Sequence, residues 1–168
     1  YQLRVAARES NTKRAGSVVY DLDVPDFSKE KLSISGVALT SATSGLIPTA
    51  RPKDPLAKML PGPMTTYRDF VQGDELALFA EIYDNTKQAH KVDLEASLRS
   101  EGGQAVFQTR EERDSSELAG GPGGYGFMAR VPLKDVPSGL YVLRVSGKAR
   151  IDDQQEVVRE VIVRVVAP

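Results

Sequence analysis

The feature that most constrains this chain is a pattern of alternating apolar and polar residues near its end. The pattern covers Gly139 to Val145 and, after a polar turn, Val157 to Val166. A period of two is typical of half-buried β-strands, because successive side chains of a strand point to opposite faces of the sheet. These two runs therefore predict an antiparallel hairpin that closes a β module.

The opening of the chain repeats that pattern. Tyr-x-Leu-Arg-Val occurs at residues 1–5 and again at 141–145, and each copy is followed by a polar turn, a valine-rich strand and a proline, Pro25 or Pro168. We infer that two related modules are sampled, the first only by its closing hairpin, with strands over 1–5 and 18–24. An isolated hairpin is marginally stable in water. Residues 1–25 should therefore dock on the complete module, pair with another chain, or belong to a module whose remainder is missing.

Further alternating runs predict strands spaced by about ten residues. They lie at 32–39, 75–83, 90–99, 105–110 and 125–131, and turn-forming residues separate them. Residues 70–74 are expected to form a turn, and residues 111–124 a polar, glycine-rich crossing. The pattern indicates an all-β fold, a sandwich of the immunoglobulin-like or fibronectin III-like type. Cys and Trp are absent, so the core of a true antibody domain is not present.

Proline content divides the chain. Five of the ten prolines fall within residues 42–69, a density that neither a helix nor an interior strand tolerates. The predicted organisation is a terminal hairpin of an upstream or packed module (1–27), a connecting strand (28–41), a proline-rich loop or linker (42–69) and a β-sandwich module (70–168).

Composition excludes several classes of function. Twenty-two Lys and Arg residues balance 23 Asp and Glu residues, and the two signs are interspersed. No basic field exists to hold a nucleic acid, and no apolar run is long enough for a transmembrane segment. The absence of Cys excludes disulfides, thiolate catalysis and Cys-based zinc sites.

Polar residues offer no catalytic constellation. His90 is the only histidine, so a transition-metal site would need carboxylates alone, and we expect its side chain at the surface. No Gly-x-Ser-x-Gly motif is present. Carboxylates that could pair for catalysis are interpreted as strand faces and turns: Glu81, Asp84, Glu111, Glu112 and Asp114. The sequence thus predicts no catalytic, cofactor or metal site. Calcium binding is the alternative to solvated acids at Asp21, Asp23 and Asp26, and at Asp152, Asp153 and Glu156.

Apolar side chains around the proline-rich segment could serve either of two roles. Met59, Leu60, Met64 and Tyr67 could pack on a neighbouring sheet, or form with Tyr125 an exposed contact patch. A carbohydrate-binding or enzyme-accessory sandwich is the alternative function, because sugar platforms use exposed aromatic rings. Trp is absent, which leaves Tyr67, Tyr83, Tyr125 and Phe127 as the rings that could stack on a sugar.

Several segments resemble one known group of proteins. They are residues 1–8, 23–28 and 32–39, then a proline-rich segment, Glu81 to Asn85 and Gly139 to Tyr141. Together they resemble the C-terminal β-rich region of the "von Willebrand factor type A-related" proteins of Acidobacteria. The resemblance covers nearly the whole chain and implies a secreted or envelope-associated bacterial protein with its adhesion-type domain upstream. That domain's Asp-x-Ser-x-Ser metal motif is absent here, so no ligand residue is carried over.

The function expected from these observations is a non-catalytic structural or protein–protein interaction module. The protein is expected to be secreted, periplasmic or attached to the cell envelope, as the resemblance implies. Strand edges or the proline-rich loop would hold a protein partner or a second copy, and no small-molecule ligand is expected. A strand edge with unpaired backbone groups recruits further strands.

Overall fold

The computed structural model describes residues 1–43, 60–119, 124–151 and 156–168. The strands are β1 (Gln2–Arg8), β2 (Ala15–Asp21), β3 (Leu32–Ile34), β4 (Ala38–Ser41), β5 (Asp69–Val71), β6 (Glu75–Asp84), β7 (Lys91–Ser100), β8 (Ala105–Asp114), β9 (Tyr125–Pro132), β10 (Gly139–Ala149) and β11 (Glu156–Val166). A single turn of helix, α1 (Ser115–Leu118), follows β8. The all-β prediction is confirmed.

Two sheets form the sandwich. One contains five strands in the order β5-β11-β10-β7-β8, in which β5 runs parallel to β11 and the other neighbours are antiparallel. In the other sheet β6 is central. The segment Leu76 to Phe79 of β6 pairs with both β4 and β9, so those two strands lie on opposite sides of it. β1 and β2 form a separate two-stranded sheet.

The edge beside β6 is one strand with an interruption. Ile34 pairs with Ile82 and Ala38 with Phe79, so β3–β4 uses four steps where β6 uses three. The Ser35 hydroxyl accepts a hydrogen bond from the Glu81 N–H (2.9 Å), which fills the gap in the ladder. This extra residue is a β-bulge. Residues 28–41, expected to form a connecting strand, therefore supply an edge of the sandwich.

The core follows the predicted alternation. The inward side chains of the two central strands are fully buried: Leu76, Leu78, Ala80 and Ile82 on β6, and Val92, Leu94, Ala96 and Leu98 on β7. The closing hairpin adds Tyr141, Leu143, Val145, Val163 and Val165 to the same cluster. Burial removes the apolar surface of both sheets from water, which is the main force that holds them together.

Three local predictions are wrong. Residues 111–114 continue β8 instead of forming a crossing, because they pair with β7 as far as Lys91. Phe70 lies in β5 and not in a turn, since backbone hydrogen bonds attach this segment to β11. The strand expected over 18–24 is β2, three residues earlier, because a bond from the Glu9 N–H to the Arg14 carbonyl (2.9 Å) closes a shorter turn.

Candidate interaction surface

The hairpin of β1 and β2 has one continuous apolar face. Leu3 pairs with Tyr20 and Val5 with Val18, and residues directly opposite each other in an antiparallel pair point to the same side. Mutual backbone hydrogen bonds between Tyr1 and Leu22 extend the ladder by one pair. We call the resulting surface the hairpin face; it consists of Tyr1, Leu3, Val5, Ala7, Val18, Tyr20 and Leu22.

Every residue of the two strands is exposed. The reverse side of the hairpin is more polar: Gln2 donates from its amide to the Asp21 carboxylate (3.1 Å), and Arg4 donates from Nε to the Gln2 side-chain oxygen (2.8 Å). The hairpin is therefore amphipathic, with an apolar side that the described parts of the sandwich leave uncovered.

The closing hairpin of the sandwich shows how the same sequence behaves when it is covered. Tyr141, Leu143 and Val145 of β10 are 6%, 0% and 0% exposed. Their counterparts in the repeated motif, Tyr1, Leu3 and Val5, are 90%, 53% and 56% exposed. Both copies of the motif form the first strand of an antiparallel hairpin. The two copies thus share an element and differ in whether a second sheet packs on it.

The residues of the predicted contact patch differ in exposure and in the strands that they lie beside. Leu60 is buried, so the packing alternative is correct for this residue, whereas Met64 and Tyr67 are exposed. Tyr125 lies on β9, on the opposite side of β6 from β4, and β4 is the strand that Thr65 bridges through Leu39. Met59 lies outside the described residues.

The aromatic side chains proposed as a sugar platform are occupied by other contacts. Phe127 belongs to the core. The Tyr83 ring stacks on Phe27 with centroids 5.0 Å apart, and its hydroxyl donates to the Glu81 carboxylate (2.6 Å). Burial and the neighbouring Glu81 raise the pKa of Tyr83 to about 12. The Tyr125 hydroxyl accepts a hydrogen bond from Arg113 Nε (2.6 Å), so only Tyr67 of the four presents a largely exposed ring.

The expectation of a surface histidine is wrong. The side chains of His90 and Asp84 are 2% and 0% exposed, and His90 Nε2 lies 2.9 Å from Asp84 Oδ2, without the alignment of a hydrogen bond. The other ring nitrogen lies 2.8 Å from the Gln88 carbonyl. Ser115 Oγ accepts a hydrogen bond from the His90 backbone N–H (3.2 Å), and neither ring nitrogen is hydrogen-bonded to it. This buried pair therefore joins the end of β6 to the start of β7 and does not form a Ser–His–acid relay.

The outer side of the five-stranded sheet carries a shallow groove of about 530 Å³. Ion pairs cross it from strand to strand: Arg150 contacts both Asp93 (2.6 Å) and Glu112 (2.8 Å), and Arg110 contacts Glu95 (2.6 Å). The hydrogen bond from Arg150 is the main reason that the pKa of Asp93 is lowered. Glu111 and Glu156, which also line the groove, pair with Arg113 (2.9 Å) and Arg144 (2.8 Å), so each of its carboxylates has an arginine partner. No aromatic residue among the described ones lines it.

The carboxylates suggested as calcium ligands are not gathered into a metal site within the described ranges. No group of three or more His, Cys, Asp or Glu side chains in them is placed to hold a metal ion. Asp26, one of the suggested calcium ligands, accepts hydrogen bonds from Ser28 and contacts Lys29 (3.2 Å). Asp152 and Asp153 lie outside the described residues. Within those same ranges no helix has the length and apolar character needed to span a bilayer.

Comparison with known proteins bears on the fold. No family model and no curated protein matches this chain. A solved structure with a similar fold is the crystal structure of the C-terminal domain of wzt, with a TM-score of 0.51 and 12% sequence identity. The similarity covers 81% of this chain and 74% of that chain. At this identity it shows the fold alone, a β-domain shared by the two proteins.

Proposed function

We propose that this chain is a non-catalytic structural or protein–protein interaction module, and that the hairpin face is its working surface. One observation carries the proposal: the apolar face of the repeated motif is buried under a second sheet in one copy and is exposed in the other. A contiguous apolar patch of this kind on a soluble protein typically marks an interaction site.

The energetics favour a covered state of the hairpin. Removal of apolar surface from water stabilises a contact by about 25 cal/mol per Å², and three of the side chains involved are the large residues Tyr1, Tyr20 and Leu3. A two-stranded hairpin with no sheet against it is marginal on its own. A partner on the hairpin face would therefore stabilise both the contact and the hairpin.

Location is part of the proposal. A secreted, periplasmic or envelope-associated bacterial protein is supported by the resemblance to the "von Willebrand factor type A-related" region. In such a protein the sandwich would act as a rigid base that presents the hairpin to its partner. Fractionation of the natural host, followed by immunoblotting, would contradict this location if the protein were recovered only from the cytosol.

Photo-crosslinking tests the working surface. A benzoylphenylalanine in place of Tyr20 reports on the hairpin face, and the same group in place of Val19 reports on the reverse side at similar exposure. In the natural protein within its own host, we expect defined adducts from position 20 and few from position 19. Equal yields from both positions, or no adduct from either, would contradict the proposal.

A further inference from the structure

We propose that the occupant of the hairpin face is a second copy of this chain, whose hairpin packs face to face and antiparallel to the first about a two-fold axis. This inference rests on the proposed function and names its partner. Each hairpin would serve as the missing second sheet of the other.

The hairpin face is compatible with packing on itself. A two-fold interface brings the same patch of both copies together, so that patch must be complementary to itself. Leu3–Tyr20 and Val5–Val18 form two adjacent apolar rows in the middle of the face. Two such surfaces can interdigitate at the separation of about 10 Å that stacked sheets adopt.

The charges of the hairpin determine the relative direction of the two copies. At the turn, Arg8, Lys13 and Arg14 outnumber Glu9. At the open end lie Asp21 and Asp23, with the Tyr1 amino group beside them. Strands of seven residues place these ends about 20 Å apart, more than twice the Debye length of about 8 Å at physiological salt, so each end interacts mainly with the end of the partner that lies over it, about 10 Å away. Antiparallel packing therefore places the basic turn of each copy over the acidic open end of the other, whereas parallel packing would place like charges opposite each other.

The rest of a second copy offers a poorer surface. The outer side of its five-stranded sheet carries ion pairs such as Arg144 with Glu156 (2.8 Å) and Arg150 with Asp93. An apolar face placed there would desolvate those charges without replacing their contacts. In the described part of the sandwich, the exposed apolar side chains form smaller groups. One such group, Leu140 and the half-buried Val142 on β10 with Ile162 on β11, is bordered by Arg164 and by the ion pair of Arg144 with Glu160. The other hairpin is the surface that matches.

Sedimentation of the full 168-residue chain tests the dimer. Face-to-face packing would bury on the order of 1,000 Å² in total, the low end for specific interfaces, so we expect a monomer–dimer equilibrium in the micromolar range. Val5 and Val19 are each 56% exposed and lie on opposite sides of the hairpin. Val5→Glu should weaken the dimer at least about tenfold, and Val19→Glu should leave its dissociation constant within about twofold.

A charge exchange tests the antiparallel direction. Asp21→Lys with Asp23→Lys makes both ends basic, and Lys13→Glu with Arg14→Glu makes the turn acidic like the open end. Each double variant should dimerise more weakly than the wild-type chain, because its two-fold dimer opposes like charges. The chain with all four substitutions has the charges of its two ends exchanged, so it should dimerise alone but should not pair with the wild-type chain, because an antiparallel mixed dimer opposes like charges at both ends. A mixed dimer of these two chains would overturn the antiparallel arrangement, because only parallel packing brings opposite charges together in it.

Outcomes of these experiments separate the inference from the proposed function. A wild-type chain that stays monomeric up to about 100 µM, two decades above micromolar affinity, would overturn the second copy as occupant. The proposed function would survive that result if position 20 still gave adducts with a different protein. A dimer that resists Val5→Glu would also overturn the inference, because its interface would lie elsewhere.

Discussion

At the scale of single residues, Gly124 shows how backbone geometry restricts the sequence. Its φ of +54° lies in the left-handed region, and a Cβ there would lie 2.6 Å from the Ile82 carbonyl oxygen and 2.8 Å from the Tyr83 ring. Any larger residue must therefore shift the start of β9 or the end of β6. Glycine is therefore required at this position for two reasons: there is no room for a side chain, and the backbone has a positive φ.

We expect Gly124→Ala to lower the free energy of unfolding by about 1–3 kcal/mol. Gly36→Ala is the matched control, because a Cβ at Gly36 meets nothing within 4 Å and its φ is not positive. Urea denaturation measures both changes. Equal losses for the two variants would show that the crowding at Gly124 is relieved without cost.

The buried pair of His90 and Asp84 makes a second residue-scale prediction. Asp84→Ala should destabilise the fold by about 1–3 kcal/mol, since it removes the acceptor of the Thr86 N–H (2.7 Å) and the polar neighbour of the buried His90 ring. Asp93→Ala removes a half-buried carboxylate that pairs with Arg150 at the surface and should cost less than about 1 kcal/mol. Chemical denaturation distinguishes the two cases. Similar small losses would mean that water replaces Asp84.

Sequence reasoning could not have located this pair. A lone histidine between a turn and a strand is compatible with exposure, and the acid six residues earlier is not distinguished from any other carboxylate. Burial arises because the link from β6 to β7 turns the ring back onto Asp84, a tertiary effect without a local signal. For the same reason, Leu60 could not be assigned to the core from its proline-rich surroundings.

At the scale of elements, alternation predicted most strands well, and it failed where pairing is non-local or irregular. The buried side chains of β6 and β7 are the ones that the alternation of apolar and polar residues had assigned to the inward face. β5 was missed because three residues are too few to show a period, and its parallel partner β11 lies almost a hundred residues away. The bulge at Ser35 was missed because Gly36 and its small neighbours are equally compatible with an unbroken strand.

One acidic side chain connects elements and makes the stability depend on pH. Asp74 accepts hydrogen bonds from the Glu75 N–H (2.7 Å) and the Thr43 hydroxyl (2.9 Å), which joins the end of β4 to the start of β6. Burial acts to raise the pKa of Asp74, but these bonds and one from Ser41 outweigh it, so the pKa lies below the usual 3.8. The charged form is therefore the one that the folded state stabilises.

We expect the contribution of Asp74 to be complete above about pH 5 and to decline as the pH falls through its folded pKa. The unfolded chain takes up this proton at a higher pH than the folded chain, so acid favours unfolding. Asp74→Asn should be less stable at neutral pH and should lose less stability on acidification. Denaturation curves at several pH values measure this, and parallel pH profiles for the two proteins would contradict it.

At the scale of the whole molecule, the hairpin and the sandwich should behave as two parts of different stability. The sandwich has a closed core, whereas every residue of β1 and β2 is exposed. Local opening is easiest where few apolar contacts resist it. The repeated motif did not predict this contrast, because it left residues 1–25 free to dock on the complete module, to pair with another chain or to belong to a module whose remainder is missing. Which partner covers it could not be predicted, since the strand pattern is the same for any sheet that packs there.

Amide hydrogen exchange should distinguish the hairpin from the sandwich. In dilute protein the amides of β1 and β2 should exchange far faster than those of β6 and β7. As the protein concentration rises into the micromolar range, exchange in the hairpin should slow while that of the sandwich stays constant. Val19→Glu should keep this concentration dependence and Val5→Glu should remove it. Slow exchange in the hairpin at every concentration would contradict its independence.

The ion pairs on the outer side of the five-stranded sheet give the two parts opposite responses to temperature. Arg150 and Arg144 each contact two carboxylates. The desolvation cost of such charges falls on heating, whereas apolar contacts weaken on cooling. The sandwich thus retains surface contacts that strengthen as its core approaches melting. A dimer held by the hairpin face would instead dissociate in the cold, while the sandwich of each copy remains folded.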